Sequence, residues 1–288
     1  MYKPWLDQLD MESAVLRYSG DKENITVSAG NSRNETIYDS NLTTEILDQG
    51  KTAYIRIKLM NTDNIAADMQ LVRQLFKTGN NYRKLIIDIR GKGGGSDTYW
   101  RAYLIPLLTS KPVEFTNYFL FRGGDFEEPF IAAKAGSGYE ARRCEVKDIS
   151  KDGLNNLPDE IMNNFKCYYK KTTTIYPKDS VNFRGKIYLL VDQKVYSAAE
   201  GFASFAKDTG FATLVGVKTG GDGIGFDPII CTLPNSGYII NFPCIMGLTS
   251  KGVCDEDVKT EPDIYFPTEY SNYPSDDDLV RHIIELED

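Results

Sequence analysis

Histidine is nearly missing from this sequence: there is one, His282, among 288 residues. An imidazole-based zinc site is therefore excluded, and any histidine base drawn from this chain has a single candidate. The five cysteines (Cys144, Cys167, Cys231, Cys244 and Cys254) are odd in number, widely spaced and free of any C-x-x-C pair. They read as isolated thiols of a reduced protein rather than as a disulfide framework. No apolar run approaches the roughly 18 residues of a membrane span. The start, MYKPWLDQLDMES, has neither the basic nor the apolar region of a signal peptide. As written, the chain reads as soluble and cytoplasmic, or extracytoplasmic if an upstream signal has been removed. Basic clusters with interleaved aromatics are also missing, and a net charge of -8 with a pI near 4.9 argues against a nucleic-acid surface. Neither a repeat of solenoid period nor a low-complexity segment occurs, and the Asn24, Asn34 and Asn41 glycosylation triplets have meaning only in a secretory setting.

What is present suits a sizeable core, with 41% apolar residues. Residues 12–50 alternate short β-like stretches with Gly, Asn and Asp turns, and predict a small antiparallel β entry section over 1–50 that leads into the main pattern. TAYIRIKLM then reads as a strand, and Asn61 to Asp63 cap a helix with Ile65, Met69, Val72, Leu75 and Phe76 on one face. KLIIDIRG follows as a continuously apolar strand. Strand, helix and strand within about 40 residues predict a βαβ unit with a buried parallel pair. RGKIYLLVDQ, the helix beginning near Ser197 and ATLVGVKTGG repeat the cycle. Between these units, residues 107–182 are aromatic-rich and read as an inserted covering section. IICTLP and GYIINFP predict a hairpin, and Ser275 to Asp278 open a helix in the final stretch, 269–288.

Two stretches could carry chemistry. DIRGKGGGSD, Asp88 to Asp97, puts glycines at a strand end, where main-chain N–H groups can approach a ligand; neither the P-loop nor the dinucleotide spacing is met. In LVDQKVYSAAEGFASFA, residues 190–206, Ser197 and Glu200 spell the S-x-x-E capping box, which predicts a helix cap. The same place suits a nucleophile, because a helix N-terminus favours developing negative charge and the Ala198 amide can face an oxyanion.

The glycine run at 91–95, Ser197 at a strand-to-helix junction, LVGVKTGGDGIG after that helix and TEPDI near the end together resemble the C-terminal processing peptidase and tricorn-core family of serine peptidases, over roughly residues 50–267. The resemblance implies an α/β fold of the ClpP/crotonase-like spiral type, stacked βαβ units with the active site between sheet ends, and a peptidase core over 51–268. It places the nucleophile on Ser197, the oxyanion amides on Ala198 and on Gly94 or Gly93, and a base-supporting glutamate on Glu256. No cofactor is implied. The implied partner is a peptide or unfolded polypeptide, with self-association open and no PDZ-like module evident.

The departures concern the base. Where the processing branch has a lysine, this chain has Asp222, and Lys218 lies four residues earlier in GVKTGG. The tricorn-like branch takes its histidine from an upstream segment, whereas His282 sits among apolar positions of the final helix and reads as a helix residue. The expectation is a truncated serine peptidase whose histidine lies before Met1, or a base from another subunit. The alternatives are a non-catalytic peptide- or ligand-binding homologue and, more remotely, an acyl-thioester enzyme, which would need a nucleotide pocket.

Overall fold

The computed structural model describes residues 13–17, 24–28, 40–78, 82–91, 94–125, 127–135, 143–225, 227–271 and 273–287. The chain divides into two compact units, residues 1–40 and 41–288. In the first, β1 (Ser13–Arg17) pairs antiparallel with β2 (Asn24–Ser28).

The second unit is built on a six-stranded sheet. Its strands are β3 (Leu42–Leu47), β4 (Thr52–Ile57), β5 (Lys84–Asp88), β9 (Lys186–Val191), β10 (Thr213–Gly216) and β14 (Ile264–Tyr265), in the order β14-β10-β9-β5-β4-β3. Every neighbouring pair is parallel except β3 with β4. The stretch around Leu42–Leu47 thus belongs to the main sheet as its antiparallel edge, not to the leading β section expected over 1–50. Burial of KLIID on both faces explains why its apolar residues do not alternate.

Helix α1 (Ile65–Thr78) crosses from β4 to β5, and α2 (Ala198–Thr209) crosses from β9 to β10. Asn61 accepts from the Asp63 amide at the turn before α1. Met69, Val72 and Leu75 of α1 and Phe202 and Phe205 of α2 pack with Ile55, Leu85, Ile87 and Leu189 on one sheet face. Trp100 stacks on Phe202 with ring centroids 5.8 Å apart. The opposite face, formed by Tyr54, Ile86, Tyr188, Leu190 and Val215, is covered by Leu279, Val280 and Ile283. The two expected βαβ units therefore lie side by side in one mostly parallel α/β sheet, and helices cover both of its faces.

Residues 107–182 hold a sheet of their own. β6 (Val113–Phe121) pairs antiparallel with β8 (Cys167–Ile175) over nine residues, with β7 (Cys144–Glu145) beyond β8. The fourth strand is β13 (Met246–Leu248), so the order is β13-β6-β8-β7. Tyr118, Leu120 and Tyr168 face one cluster, and Phe119 and Phe121 face another with Ile224 and Ile229. These aromatics are core in the main. β11 (Ile229–Thr232) and β12 (Ile239–Phe242) form the expected hairpin.

The short helix α3 (Asp255–Val258) precedes the TEPDI stretch, and α4 (Asp278–Glu285) is the acid-capped final helix. Asp277, within the Ser275 to Asp278 start read from sequence, is its N-cap and accepts from the Leu279 and Val280 amides. Asp277 also meets the Arg90 guanidinium at 2.9 Å, and Arg90 meets Asp88 at 2.7 Å, all three being buried. At the other end of α4 the buried Lys84 ammonium donates to the carbonyls of Ile283, Ile284 and Leu286. A cation against the helix C-terminus opposes its partial negative charge. The cysteines are free thiols, and no helix among the described residues is long and apolar enough to cross a membrane.

Candidate active site

The carboxyl ends of β4, β5, β9 and β10 lie side by side in the parallel sheet, the place where α/β sheets present ligands. The loops that leave them interlock. Met60, after β4, bridges Gly95, after β5: the Met60 amide donates to the Gly94 carbonyl at 3.3 Å and the Ser96 amide to the Met60 carbonyl at 2.8 Å. A Cβ on Gly95 would stand 2.3 Å from the Met60 carbonyl oxygen, and Gly95 has φ +113°, so only glycine fits. The Gly91 amide donates to Asp192, after β9, at 2.9 Å. Tyr196 bridges Gly221 in turn.

Ser197 follows this bridge and immediately precedes α2. Its backbone lies at φ 57° and ψ -128°, a region costing a non-glycine residue about 1–3 kcal/mol. The Ser197 amide donates to the Gly221 carbonyl at 3.2 Å, and its carbonyl accepts from the Gly201 amide at 2.9 Å. The hydroxyl makes no capping bond. The capping box expected from S-x-x-E is therefore not formed: an N-cap needs extended backbone to aim its oxygen at the N3 amide, and positive φ at Ser197 aims it elsewhere. Glu200 turns inward instead and accepts from the Thr260 hydroxyl at 2.6 Å. A strained strand-to-helix turn that leaves a serine hydroxyl unused is also how nucleophilic serines are presented.

Ser197 lines a cleft of about 260 Å³ with Gly95, Ser96, Asp97, Tyr196, Ala198, Asp222, Gly223, Gly225, Asp227 and Pro228. A Cβ on Gly94 would lie 3.8 Å from the Ser197 Cβ, so the glycine run passes directly beside the serine. Ala198 provides the first amide of α2. Gly93 lies outside the described residues.

The four acidic and basic residues considered from sequence fall in different places. Asp222 lines the cleft and accepts from the Tyr196 hydroxyl at 2.6 Å. Glu256 is exposed on α3, close enough for its charge to act on Tyr196. The hydrogen bond to Asp222, then burial and the charges of Asp222, Glu256 and Asp227, push the Tyr196 phenol up to about 12. Lys218 points away, its ammonium 2.6 Å from Glu261 and 47% exposed. His282 lies on α4, across the sheet from α2, with its ring stacked on Phe266 at 4.8 Å.

The residues that sequence reasoning passed over are Tyr196, Thr260 and Asp255. Asp255 is the inward-facing acid of α3, buried where its neighbour Glu256 is exposed. It accepts from the Gly223 amide at 2.7 Å and the Ile224 amide at 3.1 Å. No sequence signal separates it from the other acids of CDEDV. Among the described residues no group of three His, Cys, Asp or Glu is placed to hold a metal ion. The arrangement offers an unengaged hydroxyl, a helix N-terminal amide and a glycine-walled approach, three of the parts that acyl transfer uses, the base being the fourth.

The family model described as Peptidase family S41 matches residues 51–266. Among solved structures, the chain is similar to a candidate peptidase from Parabacteroides merdae at 18% identity and TM-score 0.53, covering 78% of this chain and 57% of that one. It is similar to CPAF complexed with lactacystin at 20% identity and TM-score 0.50, covering 78% and 49%. The photosystem II D1 C-terminal processing protease matches at 17% identity and TM-score 0.48, covering 88% and 55%. At these identities the likeness to the first two is one of fold, and the chain spans about half the length of each of these three structures. No curated protein matches the sequence.

Proposed function

The chain belongs to peptidase family S41, and on that premise we propose that it is a serine peptidase acting on peptides or unfolded polypeptides, with Ser197 as nucleophile. The observation that carries this reading is the strained Ser197 backbone, which leaves the hydroxyl uncapped in the cleft. Ser197 Oγ attacks the substrate carbonyl carbon as its proton passes to a base. The amides of Ala198 and Gly94 hold the resulting oxyanion. Collapse breaks the C–N bond, the amine leaves with the proton, and water then hydrolyses the ester on Ser197. Each oxyanion donor of this kind contributes about 100- to 1000-fold in rate.

The base is Asp222, which shares the cleft, or a group brought from outside it, a second copy of the chain included. Lys218 is held outside by Glu261 and His282 lies across the sheet. Glu256, near enough to Asp222 for the two charges to repel, would support a base that arrives from outside. The position of the single histidine favours a second reading, a non-catalytic homologue whose cleft binds peptide without cleaving it. Incubation with an unfolded polypeptide, with products mapped by mass spectrometry, separates the two. Cleavage that Ser197→Ala abolishes supports the peptidase; equal binding by both proteins, with no new termini, supports the binding homologue.

A further inference from the structure

Two buried carboxylates flank the loop that walls the cleft, and the steps above use neither. Glu200 of α2 is fully buried, and Asp255 of α3 is 2% exposed. Gly223 stands between them: its amide donates to Asp255 Oδ2 at 2.7 Å, and a Cβ on it would meet Glu200 Cγ at 2.8 Å. Glu200 Oε1 accepts from Thr260, while Glu200 Oε2 and Asp255 Oδ1 are buried without a hydrogen-bond partner. Among the described residues, no lysine or arginine pairs with either group. Two ionised carboxylates buried this close, with an unpartnered oxygen each, would repel at low dielectric, and a proton on either one removes that repulsion.

We propose that Glu200 and Asp255 hold one proton between them at neutral pH, and that this protonated pair positions the Gly220–Gly225 backbone against Ser197. The proposal rests on the reading of Ser197 as nucleophile. The loop carries Gly221, whose carbonyl receives the Ser197 amide, and Asp222, Gly223 and Gly225, which line the cleft. Loss of the proton sets the two flanks against each other with this backbone between them.

The surroundings push the same way. Burial pushes the Asp255 carboxyl up to about 7, against the Gly223 and Ile224 amides and with the charges of Glu200 and Asp222 adding to it. Burial also pushes Glu200 up, against donors at Thr219, Thr260 and Gly221. The other charged or titratable groups nearby are Asp97 on the helix facing Gly201, Glu256, Asp257 and Cys254 around α3, and Lys259, whose stem lies against Gly221.

The test compares the native chain with Asp255→Asn, which keeps an acceptor for the Gly223 and Ile224 amides and removes the charge facing Glu200. The rate of fluorophosphonate labelling at Ser197 is followed from pH 5.5 to 9. The native rate is expected to fall above neutrality by up to about tenfold per pH unit, and Asp255→Asn to lose that limb. Melting temperature gives a second readout independent of Ser197. A carboxyl held neutral in the fold binds its proton more tightly folded than unfolded. The stability it confers is present below the ordinary carboxylate range and is lost as pH rises through the folded value. Asp255→Asn should therefore gain several degrees relative to the native chain between pH 5 and 8. Parallel labelling and melting profiles for the two proteins would overturn the proposal. If Asp255→Asn fails to fold, Glu200→Gln reads the same two curves. Should Ser197 resist labelling at every pH, the nucleophile reading fails, and the melting profiles still decide whether the pair shares a proton.

Discussion

Replacing Gly95 by alanine adds one methyl group at the point where the loops after β4 and β5 are clamped. The new Cβ would fall 2.3 Å from the Met60 carbonyl oxygen, and the residue would have to keep φ +113°. Holding an alanine there costs about 1–3 kcal/mol. Moving it away breaks the Met60–Gly94 and Ser96–Met60 hydrogen bonds, each worth about 0.5–1.5 kcal/mol. By either route the cost is about 1–3 kcal/mol, or a fall of about 0.5–1.5 M in urea midpoint at a slope near 2 kcal/mol per M. Because Gly94 moves with Gly95, the amide assigned to the oxyanion is lost as well. Phosphonate labelling of Ser197 should slow by about 100-fold or more under conditions where Gly95→Ala remains folded. Equilibrium urea unfolding and a labelling time course measure the two effects separately. Destabilisation with native labelling would show that the glycine run holds no oxyanion donor. No change in either would refute the clamp itself.

Lys84→Met removes the ammonium that serves three carbonyls at the end of α4; urea unfolding should show a loss of about 2–4 kcal/mol, and a loss under 0.5 would contradict the cap. Arg90→Ala leaves Asp88 and Asp277 buried and unpaired, which should cost about 3–5 kcal/mol by the same measurement; a loss under about 1 kcal/mol would mean that the triad is not closed as described. Lys218→Ala should label at Ser197 within about twofold of the native rate, since Lys218 is tied to Glu261 outside the cleft; a loss above about 100-fold would make Lys218 the base.

The parts of the fold legible from sequence are those set by local pattern. IYLLV and KLIID read as buried parallel strands because burial on both faces leaves no alternation, and α1 reads from its cap and apolar face. What was not legible depends on distant partners. The β-branched residues and flanking turn residues of the TTEIL stretch say that it is a strand, but its neighbour is chosen by the edge that β4 leaves open. The covering sheet acquires its strand β13 from beyond residue 240, a non-local pairing that no window of sequence shows. Ser197 and Glu200 spelled a capping box. The Gly221 carbonyl holding Ser197 and the Thr260 hydroxyl holding Glu200 decided otherwise, and both come from other loops. In CDEDV the acids are equivalent on paper, and only the turn of α3 selects Asp255 to face inward.

The measurement closest to the central claim is active-site labelling. The purified chain is treated with a fluorophosphonate, digested and mapped by mass spectrometry beside Ser197→Ala. The account predicts one adduct, on the peptide carrying Ser197, absent from the variant. A folded native chain that takes no adduct, or one labelled equally in the variant, would contradict Ser197 as the nucleophile.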